Sequence, residues 1–241
     1  MSVYVMSDIH GQLNEFQKML KKIKFNKEDT LYILGDYCDW GPNSIGVINY
    51  LRRLENSSNV VCLMGNHDKM MLETILLDRG KIKEEDCHLE DVKNVWFYNC
   101  GDETYSQFLE QSKYIQDKIV DWLQRLKLVV PDLEVNDRKY YLCHSEPYIN
   151  GRNEKEVLWG RESPYLLNIE LKKWLPDITL IKGHTIVYKY HSVDEQTGKC
   201  KIYREYDNLI CIDCGGKVIH RQYSYRLGCL RLDDMQEFYV E

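Results

Sequence analysis

The residues of this chain that could do chemistry recur where short apolar runs end. Met6-Ser7-Asp8-Ile9-His10-Gly11 follows Val3-Tyr4-Val5, and Gly35-Asp36-Tyr37-Cys38-Asp39-Trp40-Gly41-Pro42 follows Leu31-Tyr32-Ile33-Leu34. Gly65-Asn66-His67-Asp68 follows Val60 to Met64, His144 follows Tyr140 to Cys143, and Gly183-His184-Thr185 follows Ile178 to Ile181. Carboxylates at the ends of buried strands are costly unless a cation compensates them. Mixed oxygen and imidazole donors suit divalent metals, and a close pair of ions needs a bridging carboxylate. We therefore expect a two-metal centre bridged by Asp36. Asp8, His10 and Asp36 serve one ion; Asp36, Asn66, His144 and His184 serve the other. Asn66 contributes a neutral oxygen, which limits the negative charge around the ions. The expected nucleophile is a hydroxide between them, because coordination lowers the pKa of water toward 7.

Positioning these groups requires strands whose carboxyl ends meet, the usual ligand-binding edge of an open α/β sheet. Leu13, Phe16, Met19, Leu20 and Ile23 have helical spacing, and Val47, Ile48, Leu51 and Leu54 repeat it after Pro42 to Ser44, so the first strands alternate with helices. Met70, Met71, Leu72, Ile75 and Leu76 predict a third helix. Residues from about 79 to 116 break the alternation and read as a partly helical insertion, either a substrate lid or a surface elaboration, anchored by Trp96, Phe97 and Tyr98. Ile119 to Leu126 predicts another helix, Pro131 stops that pattern, and a helix around Tyr165 to Trp174 follows. From Val187 onward, runs at Tyr188–Val193, Lys201–Tyr206, Leu209–Asp213, Val218–Tyr223, Leu227–Leu232 and Glu237–Val240 suggest antiparallel strands. The expected architecture is α/β, a four-layer α/β/β/α sandwich in a single domain over 1–241.

An apolar content of 44% in 241 residues permits a full core. The net charge of -6 argues against a broad basic face for a nucleic-acid polymer, yet leaves room for a small anion if metals make the pocket positive. Cys62 and Cys143 lie in apolar runs, and the nine cysteines read as reduced thiols of a cytoplasmic protein. Cys211 and Cys214 form a C-x-x-C, but the alternation around them favours a strand over zinc. No run approaches the roughly 20 apolar residues of a membrane span. His88, His191 and His220 read as structural or surface residues.

The strings SDIHG, GDYCDWGP, GNHD, CHSEP and GHT resemble those of the calcineurin-like metallophosphoesterases. Their order is most similar to the bacterial and phage type of PPP phosphoprotein phosphatases and to the related diadenosine tetraphosphatases. The likeness runs from Val3 to Ile210-Cys211-Ile212-Asp213-Cys214-Gly215 and includes Val157-Leu158-Trp159-Gly160-Arg161-Glu162. It implies the same six metal ligands, manganese or iron with zinc as the ions, a catalytic pair of His67 and Asp39, and Arg161 as a phosphate-gripping arginine. The chain departs from the pattern at Trp40 and Met64, where the family usually has arginine, and at Asp68, where eukaryotic members have Glu. Two bidentate phosphate donors are thus missing. The resemblance implies hydrolysis of a phosphomonoester, first a phosphoserine or phosphothreonine protein. The alternative is a dinucleoside polyphosphate, with Trp40 stacking on a base. A further alternative is a protein that binds phosphate esters without turnover.

Overall fold

The computed structural model of the chain describes residues 1–215 and 226–241. The first sheet is built from β1 (Val3–Met6), β2 (Thr30–Ile33), β3 (Asn59–Cys62), β9 (Leu227–Arg231) and β10 (Gln236–Val240), in the order β10-β9-β1-β2-β3. The second contains β4 (Val129–Val135), β5 (Arg138–Cys143), β6 (Ile178–Lys182), β7 (Tyr203–Tyr206) and β8 (Leu209–Cys211), in the order β4-β5-β6-β8-β7. Strand alternation makes the layering. Tyr4, Met6, Leu31, Ile33, Val60 and Cys62 join the core under the helices, while Val5, Leu34, Leu63 and Leu230 pack into the core of the second sheet. Tyr140 to Cys143 are buried without alternation, as expected of a strand covered on both faces. The result is two mixed sheets flanked by helices, in agreement with the expected fold class.

Strands β1, β2 and β3 run parallel because helices α1 (Leu13–Lys22) and α2 (Ser44–Glu55) make the crossovers. Helix α3 (Asn66–Asp78) starts directly after β3, so its first turn lies at the carboxyl edge of the sheet. Strands β5, β6 and β8 are also mutually parallel. Among the described residues no helix is long and apolar enough to cross a membrane. All nine cysteines are free thiols.

The C-terminal strands differ from expectation. They do not form one antiparallel half: β8 joins β6 in parallel, while β9 and β10 return antiparallel to the first sheet. Alternation identifies strands but carries no information about which sheet edge they reach. Tyr188–Val193 is not a strand, since Val187–Tyr190 forms a turn of 3-10 helix, closed by His191 at φ 56°. Strand β4 was hidden by Pro131. It pairs with β5 through a register shift between Val130 and Leu133, which tolerates a residue without an N–H. The expected strand Val218–Tyr223 and His220 lie outside the described residues.

The region from 79 to 116 is helical, with a 3-10 turn at Glu84–Asp86, α4 (Val92–Tyr98) and α5 (Gly101–Leu109), followed by α6 (Lys113–Leu123). It packs on α2 and α3. His88 laces it down, with Nδ1 2.6 Å from Glu73 on α3 and Nε2 3.1 Å from Glu154 on α7 (Glu154–Trp159). Trp96 is fully buried and is the anchor; Tyr98 is 90% exposed and is not. One helical turn cannot direct both residues to the same core. Trp96→Ala should therefore cost about 3–5 kcal/mol, while Tyr98→Ala should stay within about 0.5 kcal/mol. Urea unfolding of the two variants checks this, and equal midpoints would refute the assignment of the anchor.

Candidate active site

The carboxyl ends of β1, β2, β3, β5, β6 and β8 meet at one edge. Asp8 and His10 follow β1, Asp36 follows β2, Asn66 and His67 open α3, and His144, His184 and Asp213 follow β5, β6 and β8. The chain bends sharply to deliver them. Asp8 (φ 53°), His10 (φ 43°), Asp36 (φ 57°), Asp39 (φ 69°), Trp40 (φ 64°) and His184 (φ 64°) all lie in the left-handed region. That conformation is unfavourable for residues with a Cβ and clusters at functional sites. Close approach demands glycine at two neighbours. A Cβ on Gly65 would lie 2.1 Å from Asp36 Oδ1, and one on Gly183 would lie 2.2 Å from Asp8 Oδ2.

Asp36 is at the centre. Its Oδ1 accepts the His67 N–H at 3.0 Å, and its Oδ2 lies 3.6 Å from His10 Nε2 and 3.5 Å from His144 Nε2. Both imidazoles donate Nδ1–H to main-chain carbonyls, His10 to Cys38 and His144 to Leu34, each at 2.7 Å. Their Nε2 lone pairs are thereby turned inward. Asn66 Oδ1 lies 3.0 Å from His144 Nε2 and 2.9 Å from His184 Nδ1. Asp8 accepts the His184 N–H at 3.2 Å and a hydrogen bond from Ser7 Oγ. Buried His184 Nε2 has no hydrogen-bond partner among the described residues. Carboxylate oxygens, an amide oxygen and imidazole lone pairs converging on one point fit divalent cations. By distance alone the tightest groups are Asp36 with His144 and His184, and His10 with Asp36 and His67.

The electrostatics follow from burial. Desolvation raises Asp8 well above the usual carboxylate range, and the charges of Asp213 and Asp36 push it further. Desolvation also opposes charge on Asp36, but His144, His67 and His10 outweigh it and lower its pKa. Burial lowers His10 and His144 and, together with His144 and Arg161, places His184 well below its ordinary value. His67 goes the other way. Burial disfavours its cation, yet Asp36 and the 2.6 Å contact between His67 Nδ1 and Asp39 Oδ2 raise it to about 9.

Asp39 is itself fixed from α2 and from the helical region between 79 and 116. Trp96 Nε1–H donates to its Oδ2 at 2.8 Å, and its N–H reaches Ser44 Oγ at 2.9 Å and Thr104 Oγ1 at 3.1 Å. No local pattern in the sequence points to these partners. Arg161 and Trp40 line a cavity of about 220 Å³ with His10, Asp36, His67 and His184. Trp40 is 50% exposed, and Arg161 makes no ion pair with Glu162 or with any other described residue. The same cavity is lined by Asn99, Lys189 and Asp213, which sequence reasoning missed. Asp213 had a legible signal, since the apolar run Leu209 to Ile212 ends there as the others do. Lys189 had none.

Behind the cavity, Lys182 and Glu146 form a fully buried pair at 2.6 Å. Glu146 also accepts the Glu162 N–H at 3.2 Å, and Ser145 Oγ donates to the Gly160 carbonyl. The segments bearing His144, Arg161 and His184 are thus tied to one ion pair.

Fold and site together define a class. The sequence model of calcineurin-like phosphoesterases matches residues 1–217, and the chain belongs to that family, whose class is that of phosphate-ester hydrolases. Among named relatives, the symmetrical bis(5'-nucleosyl)-tetraphosphatase of Erwinia tasmaniensis is 30% identical over 60% of this chain and 44% of its own. The enzyme of the same name from Buchnera aphidicola is 30% identical over 66% and 56%. The match therefore spans about half the length of these relatives. A solved structure described as a candidate diadenosine tetraphosphatase superposes with a TM-score of 0.60 at 19% identity, covering 99% of this chain and 92% of its own. A metallophosphoesterase from Sphaerobacter thermophilus gives 0.57 at 12%, covering 100% and 88%, which supports the fold.

Two measurements test this electrostatic arrangement. In metal-free protein, the His67 ring should titrate near pH 9, and lower in Asp39→Asn, where the charge of Asp36 remains but the Asp39 contribution is lost. Its folded pKa is the higher one, so its stabilisation is complete below about pH 6.5 and is lost as pH rises through about 9. The urea midpoint should decline across that window more in the native chain than in Asp39→Asn. A native His67 resonance titrating below pH 7 would refute the pairing. Separately, Lys182→Met removes the cation nearest buried Glu146, leaving it only Arg152 at 4.0 Å, and should cost about 3–5 kcal/mol; a chemical-denaturation midpoint within error of wild type would refute the role given to this pair.

Proposed function

We propose that the protein is a metal-dependent hydrolase of dinucleoside polyphosphates, with diadenosine tetraphosphate as the representative substrate. The carrying observation is Trp40, half exposed and lining the cavity, where related phosphoprotein phosphatases have arginine. At about 220 Å³ the cavity is smaller than the roughly 300–1,000 Å³ typical of small-molecule sites. It suits phosphates, and leaves a nucleoside to lie along the rim, where an indole offers a stacking face. The tetraphosphatase relatives support this reading over phosphoprotein hydrolysis. The absence of arginine at Trp40 and Met64 weakens the phosphoprotein reading in the same way.

Asp8, His10, Asp36, Asn66, His144 and His184 would hold two divalent cations, with manganese the first choice and iron with zinc the second. When bound, such ions neutralise phosphate charge and acidify the attacking water. The remaining roles belong to side chains. Arg161 holds a non-bridging phosphate oxygen. His67, kept protonated by Asp39, donates its Nε2 proton to the departing oxygen. Trp96 and Thr104 hold Asp39 so that its Oδ2 stays on His67 Nδ1. Symmetrical cleavage adds one water to diadenosine tetraphosphate and yields two ADP.

The test is ADP release from diadenosine tetraphosphate by metal-stripped protein resupplied with manganese, run beside phosphate release from a phosphoserine peptide. The dinucleotide should be preferred by at least about tenfold in kcat/KM, and Asp36→Asn should abolish turnover of both. His67→Asn should reduce kcat by about 10²–10⁴-fold, the usual worth of a positioned acid. Preference for the peptide would overturn the assignment. Metal binding without turnover of either substrate would instead favour a protein that only binds phosphate esters.

A further inference from the structure

We propose that Arg161 and Lys189 form a paired cationic grip for two successive phosphates of a polyphosphate chain, with Lys189 holding the phosphate beyond the one attacked. This deepens the dinucleoside polyphosphate reading and rests on it for the substrate class. Arg161 alone follows from the family resemblance. Lys189 follows only from the fold.

Three observations converge on Lys189. It lines the same cavity as His10, Asp36, His67, His184 and Arg161, although it lies 28 residues from Arg161 in the chain. Its backbone is fixed by main-chain hydrogen bonds, although the residue itself is exposed. The Val187 N–H donates to the Asp213 carbonyl at 2.9 Å, the Lys189 N–H to the Ile186 carbonyl at 3.0 Å, and the Val187 side chain is fully buried. Lys189 is therefore presented from a short 3-10 turn bonded to the end of β8, directly after the His184 segment.

The second observation is that its charge has no partner of its own. Among the described residues neither Lys189 nor Arg161 makes a side-chain hydrogen bond or an ion pair within 4 Å. Each is felt by the other as repulsion, which contributes with burial to lowering the Lys189 pKa, and both act on Asp213 from a distance. If balancing Asp213 were their whole purpose, direct pairing would serve better. Two like charges held at one cavity wall and left unpaired are arranged for an anion with more than one charge.

The third observation comes from what the sequence lacks. With Trp40 and Met64 in place of arginines, Arg161 is the one guanidinium among the described residues lining this cavity. A single cation beside the metal ligands is a poor match for a chain of four phosphates. Lysine suits the added position because its ammonium acts as a point charge and does not demand the fixed planar geometry of a fork. The metal-binding residues and Arg161 would engage the reacting phosphate, and Lys189 its neighbour.

The discriminating experiment compares one phosphate with two, independently of turnover. Calorimetric titration of the manganese-loaded protein with orthophosphate and with inorganic pyrophosphate, in excess magnesium, gives the ratio of the two affinities. In wild type, pyrophosphate should bind more tightly. Lys189→Met should weaken pyrophosphate about five- to tenfold and orthophosphate less than twofold, in keeping with one charge-assisted contact at an exposed group. Lys189→Arg should restore most of the loss, whereas Arg161→Met should weaken both anions. Equal weakening of both by Lys189→Met, no weakening of either, or no anion binding by wild type would each overturn the grip. Hydrolysis of diadenosine tetraphosphate, measured separately, decides the substrate reading. A protein that discriminates pyrophosphate through Lys189 yet fails to cleave the dinucleotide keeps the grip and loses that substrate.

Discussion

The carboxylate of Asp68 is the contact on which the rest of the site depends. Fully buried in the first turn of α3, it accepts the N–H of Asp36 at 2.7 Å, of Tyr37 at 3.0 Å and of Gly65 at 3.0 Å. One side chain thus closes the start of a helix and clamps the loop that follows β2. Burial and the nearby charge of Asp36 raise its pKa to about 7, against the lowering effect of those three donors. The clamp holds Asp36 in the left-handed conformation that faces its carboxylate toward the imidazoles. A Glu, one methylene longer, would have to repack here, which gives the departure at this position a structural meaning.

Charge balance is the second constraint. Asp8, Asp36 and Asp213 are all buried, and burial followed by mutual repulsion raises Asp8 well above its normal range and Asp213 to about 7. The inward-turned imidazoles of His10 and His144 lie nearest Asp36, and His10 reaches Asp8 only at 4.0 Å. Where a fold accumulates acceptors in this way, cations complete it. The pair formed by Lys182 and Glu146 stands outside this problem. It neutralises itself and serves as a rigid joint behind three site loops.

The helical region from 79 to 116 is in direct polar contact with the site. Its Trp96 and Thr104 hydrogen-bond Asp39, and Asp39 in turn holds His67. The polar link from a buried anchor to the charged imidazole makes this region a support for the proposed acid. Asn99, at the end of α4, brings the same region to the cavity wall.

The sequence by itself determined where strands end and which residues stand there, because apolar runs interrupted by Asp, His or Asn carry a local energetic signature. Asp8, His10, Asp36, Asn66, His67, His144 and His184 were legible on that ground, as was the α/β layering from alternating periods. Only the tertiary structure decided what distant segments contribute. Trp96 and Thr104 reach Asp39 from 57 and 65 residues away, and Lys189 shares a wall with Arg161 through a 3-10 turn that its aromatic, β-branched sequence disguised as a strand. The return of β9 to the edge of β1, and the bulge that admits Pro131 into β4, likewise depend on which backbone edges were left unpaired. Periodicity reports the burial of a face. Partner choice depends on long-range packing, and no local pattern encodes it.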